Sequence, residues 1–324
     1  MTAETTETPA EPPGKEPAGK EPAGKPGAPS PRTLARRRRR ASVARFWKEY
    51  RRHRAGLFGL AALTLFVLVA LTAPLTVGSD VDSVTDAPGQ PLESPSGRFP
   101  LGTDQFGRNL LGLLIWGSRV SLLVGLLAAA LSVAIGAVIG ITAGHFRGWY
   151  ATVMMRITDW FLVMPTLVLA IVLATVMSRS LATIVLAIGV TTWPTTARLV
   201  RAQTLAVESR PYIERAKALG GGHWHIMSRH VLPNVMPLVL AQTTLIISSA
   251  ILAEATLAFL GLGDPTVVSW GGLLQDAREA GSVSSGDWWY LVPPGVGIAV
   301  VALAFTLCGR AVEAVLNPRL GVSR

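Results

Sequence analysis

The sequence predicts an all-α integral membrane protein of six transmembrane helices, with both termini on the cytoplasmic side. Three observations carry that expectation. Half of the 324 residues are hydrophobic and only 15% are charged, whereas a soluble domain carries about a quarter charged residues. The apolar residues gather in six runs of about 16 to 24 residues, near the roughly 20 that cross a bilayer core. Basic residues dominate the larger loops on one side of these runs, which fixes orientation by the positive-inside bias. The net charge of +10 invites a nucleic-acid reading, but eleven Lys/Arg lie between Arg32 and Arg54, directly before the first run. The run Arg36 to Arg40 adjoins a span and has no aromatic interleaving, which argues against nucleic acid. Attraction to anionic lipid, about 1 kcal/mol per basic residue near the surface, accounts for it.

In chain order, residues 1–31 form a Pro/Gly-rich head with a near-repeat, Gly-Lys-Glu-Pro-Ala at 14–18 and again at 19–23. Such a composition buries too little apolar surface to offset ordering entropy, so the head is expected to be disordered. Gly14 to Lys20 spells GxxxxGK, yet Glu21 stands where a phosphate loop needs Ser or Thr, and no strand precedes it. Residues 32–55 are the basic juxtamembrane segment, and the first transmembrane helix is placed at 56–78. Its apolar core is too extended for a cleaved signal, so it is read as a retained anchor. Residues 79–117 are polar and mildly acidic, with Asp80, Asp82, Asp86, Glu93 and Asp104, and form the extracytoplasmic segment. Within it, Thr103-Asp-Gln before the apolar run at 110–116 reads as an N-cap with an acidic first turn. It predicts a short helix along the outer face, a plausible contact for an extracytoplasmic protein.

The second span covers about 120–143 without a charge, or about 36 Å at 1.5 Å per residue. Arg147 and Arg156 follow on the inner side. The third span is placed at about 160–176, with Ser178-Arg179-Ser180 as a tight outer turn, and the fourth at about 181–196. Arg198 and Arg201 open a long inner loop that ends at Asn234. The fifth span covers about 235–257. An outer segment, 259–289, carries Asp264, Asp276, Glu279 and Asp287 against Arg278. The sixth covers about 290–307, with Arg310, Arg319 and Arg324 inside and a cytoplasmic tail at 314–324. The single cysteine, Cys308, lies in the last run, so no disulfide framework or thiolate metal cage is expected.

The inner loop is the most informative stretch. It reads Tyr212-Ile-Glu-Arg-Ala-Lys-Ala-Leu-Gly-Gly-Gly, then Arg229-His-Val-Leu-Pro-Asn. Pro211 suits a first helical turn and Gly220 a stop. Tyr212, Ile213, Ala216 and Leu219 share one face, with Glu214, Arg215, Lys217 and Ala218 on the rest. A helix this short needs a surface to lie on. Two surfaces serve: a groove on a cytoplasmic partner or lipid headgroups.

Glu214, Ala216, Gly220, Leu232 and Pro233 resemble the EAA signature of the membrane subunits of ABC importers. The resemblance extends to Phe99-Pro-Leu-Gly-Thr-Asp-Gln-Phe-Gly-Arg-Asn-Leu-Leu, Trp116-Gly-Ser-Arg-Val-Ser-Leu, Ile251-Leu-Ala-Glu-Ala-Thr-Leu-Ala-Phe-Leu-Gly-Leu-Gly, Ser269-Trp-Gly and the closing Asn317-Pro-Arg. Over about 45–319 the chain is similar to the dipeptide/oligopeptide permease subfamily, and to its second permease subunit. Three features depart from the pattern. Arg215 replaces the middle alanine of EAA, Gly221-Gly222 lengthens the stop, and His230 stands where many relatives have isoleucine.

The resemblance implies a type I ABC importer permease fold, with a transmembrane domain at 118–313 and a coupling helix at 211–220. It implies a bacterial cell membrane, a second homologous permease, two cytoplasmic ABC ATPase subunits and an extracytoplasmic solute-binding protein. ATP and Mg would belong to the ATPase subunits, leaving this chain without cofactor or catalysis of its own. ATPase coupling would fall to Tyr212, Glu214, Arg215, Ala216, Leu219, Gly220, Leu232 and Pro233. Peptides are the implied cargo; related permeases import nickel chelates, oligosaccharides, opines or siderophores.

Other residues carry groups capable of chemistry. His223, His225 and His230 do not converge on one helix face, and no carboxylate or thiolate stands near them at ligand spacing, so no metal site is expected. A carboxylate at mid-bilayer costs about 2.5–3.5 kcal/mol. Asp159 is therefore read as interfacial and paired with Arg156. Glu254, deeper, is read as lining a translocation path or bonding the partner permease. Gly136, Gly140 and Gly144 repeat at four-residue spacing, which suits close helix packing within the subunit. Pro165 and Pro194 sit inside spans three and four, where each permits a kink. An ion-driven transporter would want intramembrane ionisable groups and inverted repeats, and a membrane enzyme would want a Ser/His/Asp cluster or HExxH. The sequence offers neither.

Overall fold

The computed structural model describes residue 41 and residues 44–316, the side chain of Ser79 excepted. The proline-rich head with its GxxxxGK stretch, the Arg36 to Arg40 run and the closing Asn317-Pro-Arg lie outside the described residues. The chain divides into two compact units, Met1–Arg45 and Phe46–Arg324. In the first, Arg45 Nε donates to the Ala41 carbonyl; all that follows concerns the second.

The described residues form helices and no strand. In order they are α1 (Arg54–Thr76), α2 (Leu110–His145), α3 (Trp149–Val163), α4 (Thr166–Val176), α5 (Leu181–Glu208), α6 (Pro211–Ala218), α7 (His223–Ile226), α8 (Leu232–Leu257), α9 (Trp270–Glu279), α10 (Ser282–Ser285) and α11 (Trp288–Leu316). A π-turn, Met227–Val231, joins α7 to α8, and a second, Ala258–Leu262, extends α8. Among the described residues five helical stretches are long and apolar enough to cross a membrane, and α3 with α4 makes a sixth if the bent pair counts as one span.

Helices overrun the apolar runs because backbone pairing continues wherever side chains still find packing. α2 has 36 residues, about 54 Å at 1.5 Å per residue, well beyond a hydrocarbon core. Gly136, Gly140 and Gly144 face α5: a Cβ on Gly140 would stand 2.7 Å from the Ala197 carbonyl oxygen, and one on Gly136 2.6 Å from Thr196 Cβ. The glycine repeat is thus a packing seam within the subunit, as the sequence suggested.

Two expectations are corrected here. Thr103 does not cap a helix, and the apolar run after it is no separate outer helix. Asn109 is the N-cap, its side chain accepting from Leu111 N and Gly112 N, and Leu110 opens the long α2. Thr103 and Asp104 are wholly buried instead. Asp104 Oδ1 accepts from Phe106 N and Arg108 N, at 2.9 and 2.8 Å, while Oδ2 takes Arg108 Nε at 2.6 Å. The carboxylate folds the loop back on itself. The third span also differs. Pro165 lies in the short break between α3 and α4, where the chain bends by 91°, so the expected kink is a full interruption of the helix. Met164 before it is extended (ψ 135°), as proline demands of its predecessor. Pro194, by contrast, is buried inside an unbroken α5.

The core gathers around Trp270, 1% exposed. Its indole Nε1 donates to the Leu114 carbonyl at 2.8 Å, and Phe66 of α1 meets its ring edge-on at 5.8 Å. This ties α1, α2 and α9 at the acidic end of the bundle. α1 leaves Leu71 and Leu75 exposed, an apolar surface suited to lipid or another membrane helix.

Candidate functional site

The inner loop folds as a helix with a defined stop. Arg210 is extended, Pro211 takes the first turn and Glu214 lies in that turn, while Arg215 and Lys217 sit in the last. Each charge suits the helix dipole. The C-terminus closes as a Schellman motif: Gly220 N donates to the Lys217 carbonyl at 3.0 Å and Gly221 N to the Ala216 carbonyl at 2.9 Å. Gly220 has φ +83°, the left-handed region, which costs a side-chain-bearing residue about 1–2 kcal/mol. A Cβ on Gly221 would fall 2.7 Å from the Ala216 oxygen. Gly222, extended at φ −68°, faces open space and needs no glycine. The lengthened stop is a rigid cap of two required glycines and one free one.

The four-residue apolar face is only half realised. Ile213 is fully buried and Ala216 partly so, but Tyr212 is 38% and Leu219 89% exposed. The helix ends at Ala218, so Leu219 (ψ 10°) leaves the helical screw and swings outward. Tyr212 turns toward His230, with ring centroids 6.1 Å apart. Trp224, just past the cap, is 78% exposed. The loop therefore presents Tyr212, Leu219 and Trp224 together with the exposed charges of Glu214 and Arg215. Leu232 is partly buried against the core and Pro233 sits exposed in the first turn of α8.

Beneath the loop lies a polar chain that sequence reasoning missed. Glu208, the last residue of α5, keeps its side chain 3% exposed. Lys217 Nζ donates to its Oε2 at 2.6 Å, and His145 Nδ1 to its Oε1 at 2.6 Å. His145 Nε2 in turn pairs with His223 Nδ1 at 2.8 Å. The four residues come from four different elements, so no local spacing signals them. His225 faces His230 instead, at 5.5 Å between rings. Among the described residues no group of three His, Cys, Asp or Glu is placed to hold a metal ion.

The remaining candidates stand apart from this loop. Asp159 pairs with Arg198 of α5, not with Arg156 as expected; the α3–α5 contact, unseen in sequence, supplies a closer cation. Glu254 is 1% exposed within α8. Its carboxyl neighbours Ser121 of α2 and Ser269, and among the described residues its Oε2 has no hydrogen-bond partner. Pro165 is exposed at the α3–α4 elbow. At the acidic end a cavity of about 330 Å³ is lined by Asp82, Arg108, Arg179, Asp264, Gln275 and Asp276 among others. Burial pushes the Asp276 carboxyl above the usual aspartate range, against the pull of Arg108.

Comparison with known proteins shows the family. Residues 136–322 match the family model of the binding-protein-dependent transport system inner membrane component, and residues 43–95 that of the N-terminal transmembrane domain of oligopeptide transport permease C. A dipeptide transport system permease protein of Alkalihalophilus pseudofirmus is 33% identical over 275 residues, covering 85% of this chain and 89% of that protein. A di/tripeptide transport system permease protein of Pseudomonas aeruginosa is 36% identical over 280 residues, 85% and 91% of the two chains. A glutathione transport system permease protein of Pectobacterium atrosepticum is 32% identical over 277 residues, 85% and 90%.

Proposed function

Because the chain belongs to the family of binding-protein-dependent transport system inner membrane components, we propose that it is a permease subunit of an ABC importer that takes up di- and oligopeptides. In this account the chain hydrolyses nothing. Two cytoplasmic ATPase subunits, with ATP and Mg, supply the work; a second homologous permease completes the pore, and a solute-binding protein delivers the cargo. Both termini and α6 face the cytoplasm.

One observation carries the coupling role. α6 is short yet firmly capped, and beside a single buried anchor, Ile213, it turns Tyr212, Leu219 and nearby Trp224 outward. Exposed aromatic and aliphatic groups rimmed by Glu214 and Arg215 suit insertion into a groove of a partner subunit. Nucleotide-driven closure of two ATPase subunits would then move α6 and, through it, the spans behind it. Such coupling needs contacts that differ between the two states. Glu254, Pro165 and Pro194 are the intramembrane positions assigned to the path or the permease interface. Glu254 reaches either only if α8 moves against α2 and α9.

The test is labelled-peptide uptake into proteoliposomes holding the assembled transporter, with dipeptide, tripeptide, oligosaccharide and nickel-chelate arms. Glu214→Ala and Gly220→Asp are expected to abolish ATP-dependent uptake while membrane insertion stays normal. Wild-type uptake by either variant would remove α6 from the coupling role, and uptake of a non-peptide arm alone would reassign the cargo.

A further inference from the structure

We propose that Glu208 is a positioning residue that keys the coupling helix to the transmembrane bundle. It does so through Lys217 on one side and the His145–His223 pair on the other. The proposal rests on the coupling reading of α6.

α6 is held by little else. Ile213 is its one fully buried side chain, and eight residues make a helix that is marginal alone. The second hold is ionic, between Lys217 in its last turn and the buried carboxylate at the end of α5. Both oxygens of Glu208 are occupied, one by Lys217 and one by His145 at the end of α2. To donate to the carboxylate, His145 must carry its proton on Nδ1. In the neutral ring Nε2 then accepts, and His223 Nδ1 is the donor across the 2.8 Å contact. In either charge state of the His145 ring, hydrogen bonds run from Glu208 through His145 to His223, the residue that starts α7. His223 begins the helix immediately after the glycine cap, so both sides of that cap are tied to one carboxylate.

The consequence is mechanical. α2 and α5 are already locked by the glycine seam, so a force on α6 reaches two packed spans through Glu208 and not through the short Ser209–Arg210 link alone. Removing Lys217 leaves Oε2 of the buried carboxylate without its cation, which loosens the seat of α6. Lys217 is the residue to change, because its side chain is 47% exposed and its loss opens no cavity.

The experiment uses the full transporter in lipid nanodiscs and has two readouts. The first is the distance distribution between spin labels at Leu219→Cys and Trp149→Cys, in a Cys308→Ala background. The second is peptide imported per ATP hydrolysed. Lys217→Met and Glu208→Gln are each expected to broaden the distance distribution and lower import per ATP by about tenfold, the middle of the range for a removed coupling contact. Lys217→Arg, which keeps the charge and the reach, is expected to restore both. An unchanged distance distribution in Lys217→Met would overturn the proposal. So would a broadened distribution with import per ATP intact, since the seat would then play no part in coupling. If wild-type import proves independent of ATP, the transport reading fails, while the spin-label distances still report directly on the seat.

Discussion

Replacing the three loop glycines one at a time by alanine separates geometry from mere flexibility. At Gly220, φ is +83° with open space around it, so alanine meets no clash and suffers only the left-handed backbone, about 1–2 kcal/mol. That corresponds to about a fivefold to thirtyfold loss of the closed cap, at 1.4 kcal/mol per factor of ten. At Gly221 the new Cβ would lie 2.7 Å from the Ala216 oxygen that the residue's own N–H donates to. That bond must break, at about 1 kcal/mol, with the strain of the shift added. At Gly222 the backbone is extended and nothing lies within 4 Å, so the change stays within about 0.5 kcal/mol. Hydrogen exchange of the amides of residues 219–221 in nanodiscs reads the cap directly, because each donates to a helix carbonyl. Exchange is expected to speed up by about fivefold to thirtyfold in Gly220→Ala, at least as much in Gly221→Ala, and not measurably in Gly222→Ala. Equal acceleration in all three, or none in Gly220→Ala, would show that no Schellman cap ends this helix.

Gly140→Val drives a branched side chain against the Ala197 carbonyl and Val200 and is expected to cost about 1–3 kcal/mol by overpacking, lowering the thermal midpoint in detergent; Gly297→Ala, whose Cβ would meet Trp270 no closer than 3.6 Å, serves as the tolerated control. Asp104→Ala takes from Arg108, whose side chain is 9% exposed, its 2.6 Å carboxylate partner, leaving the Asp82 carbonyl at 3.1 Å and Asp276 at 3.9 Å. A loss of about 3–5 kcal/mol is expected, seen as new protease cleavage in the 79–109 loop. Asp276→Asn is expected to stabilise the acidic end at neutral pH. With its folded pKa raised, the aspartate contributes stability only at low pH and loses it as pH rises through that pKa. The variant's thermal midpoint should exceed that of the parent at pH 7 and match it more closely in acid.

Much of this molecule is legible in its sequence, for reasons that differ by residue. Pro211 and Gly220 mark the ends of α6 because each residue type is confined to the backbone those positions require. The glycine repeat at 136, 140 and 144 is legible because period four is one helix face. Thr103 misleads because Asn109, six residues later, is an equally good cap, and burial of Asp104 by Arg108 is a folded-state fact. Pro165 signals an interruption but not its angle, which depends on what α3 and α4 pack against. Leu219 falls on the apolar face of a helical wheel and leaves it because the helix stops one residue earlier. Glu208 and His145 carry no signal at all: 63 residues separate them, and only the packing of α2 on α5 brings them within reach.

Site-directed crosslinking from the inner loop in the assembled transporter tests the central claim most directly. Photoreactive residues at Leu219 and Trp224 are expected to capture an ATPase subunit, with the yield changing when ATP is trapped, while one at buried Ile213 captures only this chain. Capture of lipid alone from Leu219 and Trp224, with or without nucleotide, would contradict the account.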